Sequence, residues 1–525
     1  MADRKDEMSS ISGHSGLPPT INPKQNKYAF VCATMTSMAS VLLGYDVGVM
    51  SGAVIFIQKD FGISDVKVEI LLGIISLYSM VGAVVAGRTS DWIGRRYTMG
   101  LAAAFFFLGA VLMGLATDYS FLMFGRFFAG VGIGFAGLIA SIYTAEISPA
   151  ASRGCFTSFP EVPSLSTLHL FINFGILLGY VSNFAFSKLP THLSWRFMLG
   201  IGVIPSAILV IIVLIVPESP SWLVMKGRIA EAKRVLEKTS VSIEESQQRL
   251  ADIKIAIGIP PNFCGTDDVD AAISVSNQST RRENVWKELF LHPTPSVRHI
   301  LIAAIGLHFF QQASGNDGVV LYSPRIFEKA GITSSDHKLL ATVAVGIIKT
   351  TFILVATFLL DRIGRRPLIL ISVAGQTFSL AILGFSLTII NNSHVKVTWA
   401  IILCITMLLC DVSFFSLGLG PMTSVYTSEI FPLRLRASGV SLAIIVNRVT
   451  SGVVTMTFLS LYHALTIGGA FFLYAGIAAV GWLFFFVVFP ETRGHNLEDV
   501  EGLFGNFLWS LKKNKGRAME VELEG

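Results

Sequence analysis

Asp91-Trp92-Ile93-Gly94-Arg95-Arg96 returns later in the chain as Asp361-Arg362-Ile363-Gly364-Arg365-Arg366. An acid, a glycine and two arginines at fixed spacing mean little once. Found twice, each time just beyond an apolar stretch, they mark a duplication. Two further pairs keep the same order: Glu146-x6-Arg153 with Glu429-x6-Arg436, and Pro217-Glu218-Ser219 with Pro490-Glu491-Thr492. The three motifs follow the second, fourth and sixth apolar stretches of each copy.

Composition says what those stretches are. Of 525 residues, 52% are apolar and 14% charged, against about 25% charged in a soluble domain. Such a chain lacks the polar side chains to cover a water-facing surface. Disorder, a nucleic-acid platform and a secreted disulfide scaffold are excluded. Five cysteines without CxxC spacing indicate neither a metal site nor a disulfide framework. A net charge of +5 says little about partners.

A bilayer span needs about 20 mostly apolar residues. Candidates fall at 29–50, 70–88, 98–116, 119–141, 167–186 and 196–216, then at 299–321, 339–360, 367–390, 398–420, 437–460 and 467–489. The expected fold is an all-α membrane protein, twelve transmembrane helices in two six-helix halves. The expected divisions are a tail 1–28, a half 29–216, a polar loop 217–298, a second half 299–489 and a tail 490–525. The first tail has no signal-peptide pattern, so the first span is expected to direct its own insertion. With the N-terminus inside, short inner loops carry nine Lys or Arg and outer loops six, which favours that orientation. Within the central loop, Gly227–Ile255 has apolar residues at helical spacing and predicts a helix pair lying on the bundle.

Duplicated halves of this kind are a transporter architecture, with substrate held between them near the membrane midplane. Asp91, Arg95, Arg96, Glu146, Arg153, Asp361, Arg365, Arg366, Glu429 and Arg436 at span ends are the candidate inner gate. Their ion pairs are expected to hold the inner ends of the halves together in one state and release them in another. Ionisable residues inside the membrane are functional candidates by default. Asp46 in the first span and Arg126 in the fourth form such a pair. Burial favours a neutral carboxyl and a nearby arginine favours the ionised one, so small movements between them load or release a proton.

The paired DxxGRR motifs, Gly125-Arg126 and Gln311-Gln312-Ala313-Ser314-Gly315 resemble the sugar porters of the major facilitator superfamily, from about Tyr28 to Phe504. Leu43-Gly44-Tyr45-Asp46-Val47-Gly48, Val320-Leu321-Tyr322-Ser323-Pro324-Arg325 and Ser428-Glu429-Ile430-Phe431-Pro432 are similar to the plant polyol transporter branch. The resemblance implies proton symport of linear polyols and monosaccharides, with Asp46 and Arg126 coupling the proton. It implies a substrate site of Gln311, Gln312, Asp317, Tyr322, Lys349 and Asn447. Asp317 and Lys349 stand where hexose carriers usually have asparagine, and charge strengthens a hydrogen bond to a hydroxyl. The other reading of those two is a salt bridge tying the seventh span to the eighth.

Three departures from the family pattern stand out. Eight residues, 163–170, precede the fifth span. They either lengthen its inner end by about 12 Å or form a kinked segment begun by Pro163. Ser424 occupies a usual tryptophan position, removing an aromatic wall. Asn316 and Ser221 replace an apolar residue and an arginine. His308, Asp411, His169 and His463 stay outside the expected site.

The leading expectation is a proton-coupled polyol and monosaccharide symporter. A facilitative uniporter, with Asp46 and Arg126 only structural, is the alternative, and a non-transporting sugar receptor is a third. No nucleophile elbow, HExxH or Walker pattern supports an enzyme. No cofactor is expected beyond the driving proton. The expected partners are small polyols and sugars and the lipid bilayer, with no nucleic acid and a working monomer. The plasma membrane is the expected location, the vacuolar membrane the alternative.

Overall fold

The computed structural model describes residues 28, 31–32, 34–147, 164–240, 242–257, 293–332, 334–393, 397–432, 435–491 and 504. The regular elements among them are helices. The first half runs through α1 (Ser40–Phe61), α2 (Asp65–Ile93), α3 (Arg95–Gly114), α4 (Tyr119–Ile147), α5 (Ser164–Phe186), α6 (Thr191–Gly200) and α7 (Val203–Ile215). Then come α8 (Pro220–Met225), α9 (Ile229–Thr239) and α10 (Ile243–Ile257). The second half has α11 (Pro295–Ala313), α12 (Asn316–Lys329), α13 (Ser335–Ile363) and α14 (Arg365–Asn392). It closes with α15 (Thr398–Leu417), α16 (Leu419–Ile430), α17 (Arg436–Leu465) and α18 (Ile467–Val488).

Among the described residues, eleven stretches are long and apolar enough to cross a membrane. The expected span 299–321 is not among them: α11 carries too many polar residues, His308, Gln311 and Gln312 among them, and the span is also broken. Helix α11 ends at Ala313 and α12 starts at Asn316, with Gly315 between them at φ 86°. The left-handed backbone that glycine permits ends one helix and begins the next. Gln311, Gln312, Ser314, Asn316 and Asp317 crowd this break with polar groups. Discontinuous helices of this kind build transporter binding sites at mid-membrane.

Helices α8 and α11 begin with proline at the first turn, capped by the Ser219 and Thr294 hydroxyls accepting from Trp222 N–H and Val297 N–H. Trp222, Leu223, Val224 and Ala232 bury together, so α8–α10 form a small cluster of their own. Arg249 on α10 donates to the Glu146 and Ile147 carbonyls at 3.3 and 3.1 Å. The expected amphipathic pair is thus pinned to the C-terminal end of α4, where a cation is favoured. Helix α5 already starts at Ser164, so residues 164–170 are helical. Pro163 lies outside the described residues.

Within the first half α1 packs on α5, and α4 on both α2 and α3. The first contact is so close that a methyl group at Gly48 would run into the Ile176 carbonyl. Between halves, α2 packs on α17, α5 on α13 and α16, and α1 on α12.

Candidate functional site

Helices α1 and α4 bring Asp46 and Arg126 together. Arg126 Nη1 donates to both Asp46 oxygens, at 2.7 and 2.8 Å. The guanidinium also donates to the Leu71 carbonyl from Nε and Nη2, at 3.2 and 3.1 Å. The two side chains are 2% and 1% exposed. A pair so buried keeps its charges only because the geometry is good and further hydrogen bonds are made.

A cavity of about 40 Å³ opens beside this pair and reaches the second half: Asp46, Arg126, Ser76, Asp317, Arg448 and Ser451 are among its lining residues. Small-molecule sites run from about 300 Å³ upward, so this space is too small for a polyol. The site is shut in this state. Asp317 accepts from the Ser451 hydroxyl, whose oxygen lies 3.3 Å from Ser76 Oγ across the two halves.

Below the break in the seventh span three amides join. Asn447 Nδ2 donates to Gln311 Oε1 at 2.8 Å, and Gln312 Nε2 donates to Asn447 Oδ1 at 3.2 Å. Gln311 Nε2 bonds the Leu419 and Gly420 carbonyls at 3.2 Å each, where α16 begins. The Tyr322 hydroxyl is spent on the Thr455 carbonyl at 3.0 Å, and its ring stacks on Phe458 with centroids 4.7 Å apart. Tyr322 is therefore not a free donor, and it packs behind the cavity rather than lining it. The salt bridge that was the other reading of Asp317 and Lys349 does not form. Lys349 Nζ lies 5.7 Å above the Phe415 ring on α15, because the turn of α13 that carries it faces α15. The charges of both Asp317 and Asp411 still act on it. His308 meets Thr427 Oγ1 at 3.2 Å and is a packing residue.

The duplicated motifs form matched corners. Gly94 and Gly364 have φ 102° and 101°, each with ψ 164°. Arg95 reaches Glu146 through Nε and Nη2 at 3.2 and 3.1 Å, and Asp91 at 3.2 Å. Arg365 reaches Glu429 at 3.3 and 3.0 Å. Both ion pairs lie within a half, which corrects the expectation that they join the two halves here. Arg95 meets the helix that continues its own half, α4, and Arg365 meets α16 of its own. Arg96 and Arg366 cap their neighbours' carbonyls, at Val213 and Phe486. Arg153 lies outside the described residues, as do the side chains of Asp361 and Arg436.

Glu218 and Glu491, quoted in the repeat but given no role, complete the corners. Glu218 accepts from the Arg95 and Arg96 backbone N–H groups at 2.9 and 3.2 Å. Glu491 does the same for Arg365 and Arg366 at 3.1 and 3.0 Å. A carboxylate at a helix N-terminus satisfies orphan donors and the dipole together. Tyr143 and Tyr426 add one more matched bond, to the Pro217 and Pro490 carbonyls at 2.7 and 3.0 Å. Tyr143-x-x-Glu146 and Tyr426-x-x-Glu429 carried that signal in the sequence.

Besides Ser76–Ser451 and the Tyr180 hydroxyl on the Val320 carbonyl, a cluster of charged bonds joins the halves at the opposite end of the bundle, on residues given no role in the sequence. Arg325 Nη1 donates to Asp65 at 3.1 Å and its Nη2 to Gln58. His463 Nε2 stands 3.2 Å from the other Asp65 oxygen. Glu69, 2% exposed, accepts from Ser460 N–H at 2.7 Å and Ser460 Oγ at 2.6 Å.

Residues 32–504 match the family model described as "Sugar (and other) transporter". Polyol transporter 5 of Arabidopsis thaliana is 58% identical over 497 residues, 95% of this chain and 90% of that protein. Glucose transporter GlcP of Staphylococcus epidermidis is 30% identical, covering 91% and 97%. Among solved structures, the proton:xylose symporter XylE bound to 6-bromo-6-deoxy-D-glucose superposes with TM-score 0.73 at 24% identity, over 91% of this chain and 100% of that one. Inward-open XylE from E. coli gives TM-score 0.70, also at 24% identity, over 91% and 100%. At that identity the likeness speaks for the fold alone.

Proposed function

Since the chain belongs to the sugar transporter family, we propose that it is a proton-coupled symporter of linear polyols and monosaccharides, working by alternating access. It is a multi-pass membrane transporter and not an enzyme. The observation that carries the finer reading is one cavity lined by both Asp46–Arg126 and Asp317. A proton site and a hydroxyl-binding acid that share a space between the halves sense one another's occupant. Identity to plant polyol transporters supports the substrate class.

Opening of the halves admits water to Asp46, which takes a proton from the acidic side while the polyol meets Asp317 and the amides Gln311, Gln312 and Asn447. Closure buries a neutral carboxyl, which costs far less than an unpaired ion. On the other side, renewed contact with Arg126 favours the ionised form and sends the proton on. With the N-terminus cytoplasmic, the Asp65–Arg325 and Glu69–Ser460 bonds are the outer gate and the glycine corners lie inside. The carrier acts as a monomer in the plasma membrane and uses no cofactor beyond the proton. Uptake of labelled sorbitol, xylitol, inositol and glucose in transport-deficient yeast, at acidic and neutral pH and with an uncoupler, tests this. Uncoupler-insensitive equilibration without accumulation would make it a uniporter.

A further inference from the structure

Asp411 on α15 is 0% exposed, and its carboxylate oxygens make no well-formed hydrogen bond, the Gln376 amide being close enough only to act weakly on them. It has no part in the mechanism above. An ionised carboxylate held this way, without a well-formed donor, is among the costliest states a protein interior offers. Its surroundings are polar all the same. Helices α13, α14, α16 and α12 pack against α15. From α13 comes Lys349, 7% exposed, with its ammonium over Phe415. Phe415 follows Asp411 by four residues, so the two share a face of α15. The ammonium thus sits one helical turn from a bare carboxyl group. From α14 comes Gln376, whose Nε2 bonds Ser314 at 3.3 Å and whose Oε1 has no partner. From α12 comes Asp317, held by Ser451. The other charged groups of these helices, among them Lys338, Arg362, Arg365, Arg366 and Glu429, lie toward the helix ends.

Lys349 therefore stands between two acids of unequal standing. Asp317 has a hydroxyl donor and a cavity shared with Arg448 and Arg126, and Asp411 has neither. We propose that Asp411 and Lys349 form a second proton-binding site, in the C-terminal half, whose occupancy decides which acid Lys349 serves. With the proton on Asp411, the Lys349 charge is left to Asp317 and to substrate. When the Asp411 O–H bond breaks, the proton leaves to water and the carboxylate draws Lys349 to itself. Substrate then loses a cation from its site, so affinity for polyol falls as pH rises. This rests on the symport reading, and deepens it by adding an acid on a different helix.

The pH-difference infrared spectrum of the purified carrier in lipid tests the site without any transport. A protonated-carboxyl band that fades with rising pH is expected in wild type and not in Asp411→Asn. In Lys349→Gln the same band is expected to persist to more alkaline pH, since its cation is gone. A spectrum of Asp411→Asn equal to that of wild type, or a band that does not titrate, overturns the proposal. Should Asp411→Asn fail to fold, an unshifted band in Lys349→Gln overturns it equally. In vesicles, the apparent KM of wild type for sorbitol should rise with pH, and that of Asp411→Asn should rise less, by what Asp46 alone contributes. Uncoupler-sensitive accumulation should survive in Asp411→Asn. Its absence from wild type would sink symport while leaving the infrared result to decide Asp411.

Discussion

Asp46 and Arg126 face each other across α1 and α4 with both carboxylate oxygens on one guanidinium nitrogen, at 2.7 and 2.8 Å. All the remaining guanidinium donors that are bonded go to one backbone carbonyl, Leu71. The arginine is thus fixed by the scaffold as well as by the acid. Asp46→Asn is expected to abolish accumulation against a gradient and to keep counterflow. Arg126→Met leaves a buried charge alone, at a cost of about 3–5 kcal/mol, and is expected to lose folded protein as well. Reconstituted vesicles and fluorescence size-exclusion profiles separate the two outcomes.

Asp317 holds the Ser451 hydroxyl and no lysine. Asp317→Asn keeps an acceptor of similar shape and is expected to alter the ratio of hexose to linear polyol uptake. Ser451→Ala should shift the same ratio less. Equal loss of every substrate, in step with expression, would make Asp317 a structural residue.

The gate bonds at the Asp65 end predict a displaced conformational balance. Arg325→Ala removes bonds to Asp65 and Gln58, and Glu69→Gln weakens the hold on Ser460. A bond present in one state only biases the equilibrium by its differential energy, about 1–3 kcal/mol. Cysteines placed in the cavity should label more readily from that side in both variants. Unchanged labelling would remove these residues from the gate.

Gly94→Ala puts a methyl group into the Glu218 carboxylate at a left-handed φ of 102°. Strain of this kind costs about 1–3 kcal/mol. At Gly364 the nearest carboxylate atom stands 3.1 Å from the added methyl, so Gly364→Ala should be milder. Thermal unfolding in detergent ranks the two.

Burial pushes the Glu218 carboxyl above its ordinary 4.5, against the lowering effect of the Ser219, Arg96 and Arg95 N–H groups. A group raised in the folded state binds its proton more tightly there than in the unfolded chain. Its contribution is full below the unfolded value and is lost as pH rises through the folded one. Glu218→Gln should therefore flatten the gain in thermal stability between neutral and mildly acidic pH. An unchanged pH slope would show that Glu218 does not titrate in that window.

Much of this molecule was legible in the chain. The duplication read from Gly94 and Gly364 reappears as two backbone angles that agree within a degree. Asp46 and Arg126 were legible because a charge inside a span has few places to go. Lys349 was not, since a span assignment fixes depth and not rotation, and rotation decided that it faces α15. The break at Gly315 was passed over although Gln311, Gln312, Ser314, Asn316 and Asp317 flank it, because apolar runs farther out on both sides read as one span. Thr455 escaped notice for a plainer reason: it contributes a backbone carbonyl, and any sequence could supply one.

The corners also say how force travels. Each half leaves its sixth span through the residue, Glu218 or Glu491, that fastens the turn between its second and third. Each half is thereby a closed buckle, shut by its own outgoing strap. A pull on the chain beyond Glu218 is delivered first to the N-terminus of α3, across the width of the half, and only then to α7. Whatever tugs on the central segment tightens or loosens the first half as a whole, and the tail beyond Glu491 has the same grip on the second.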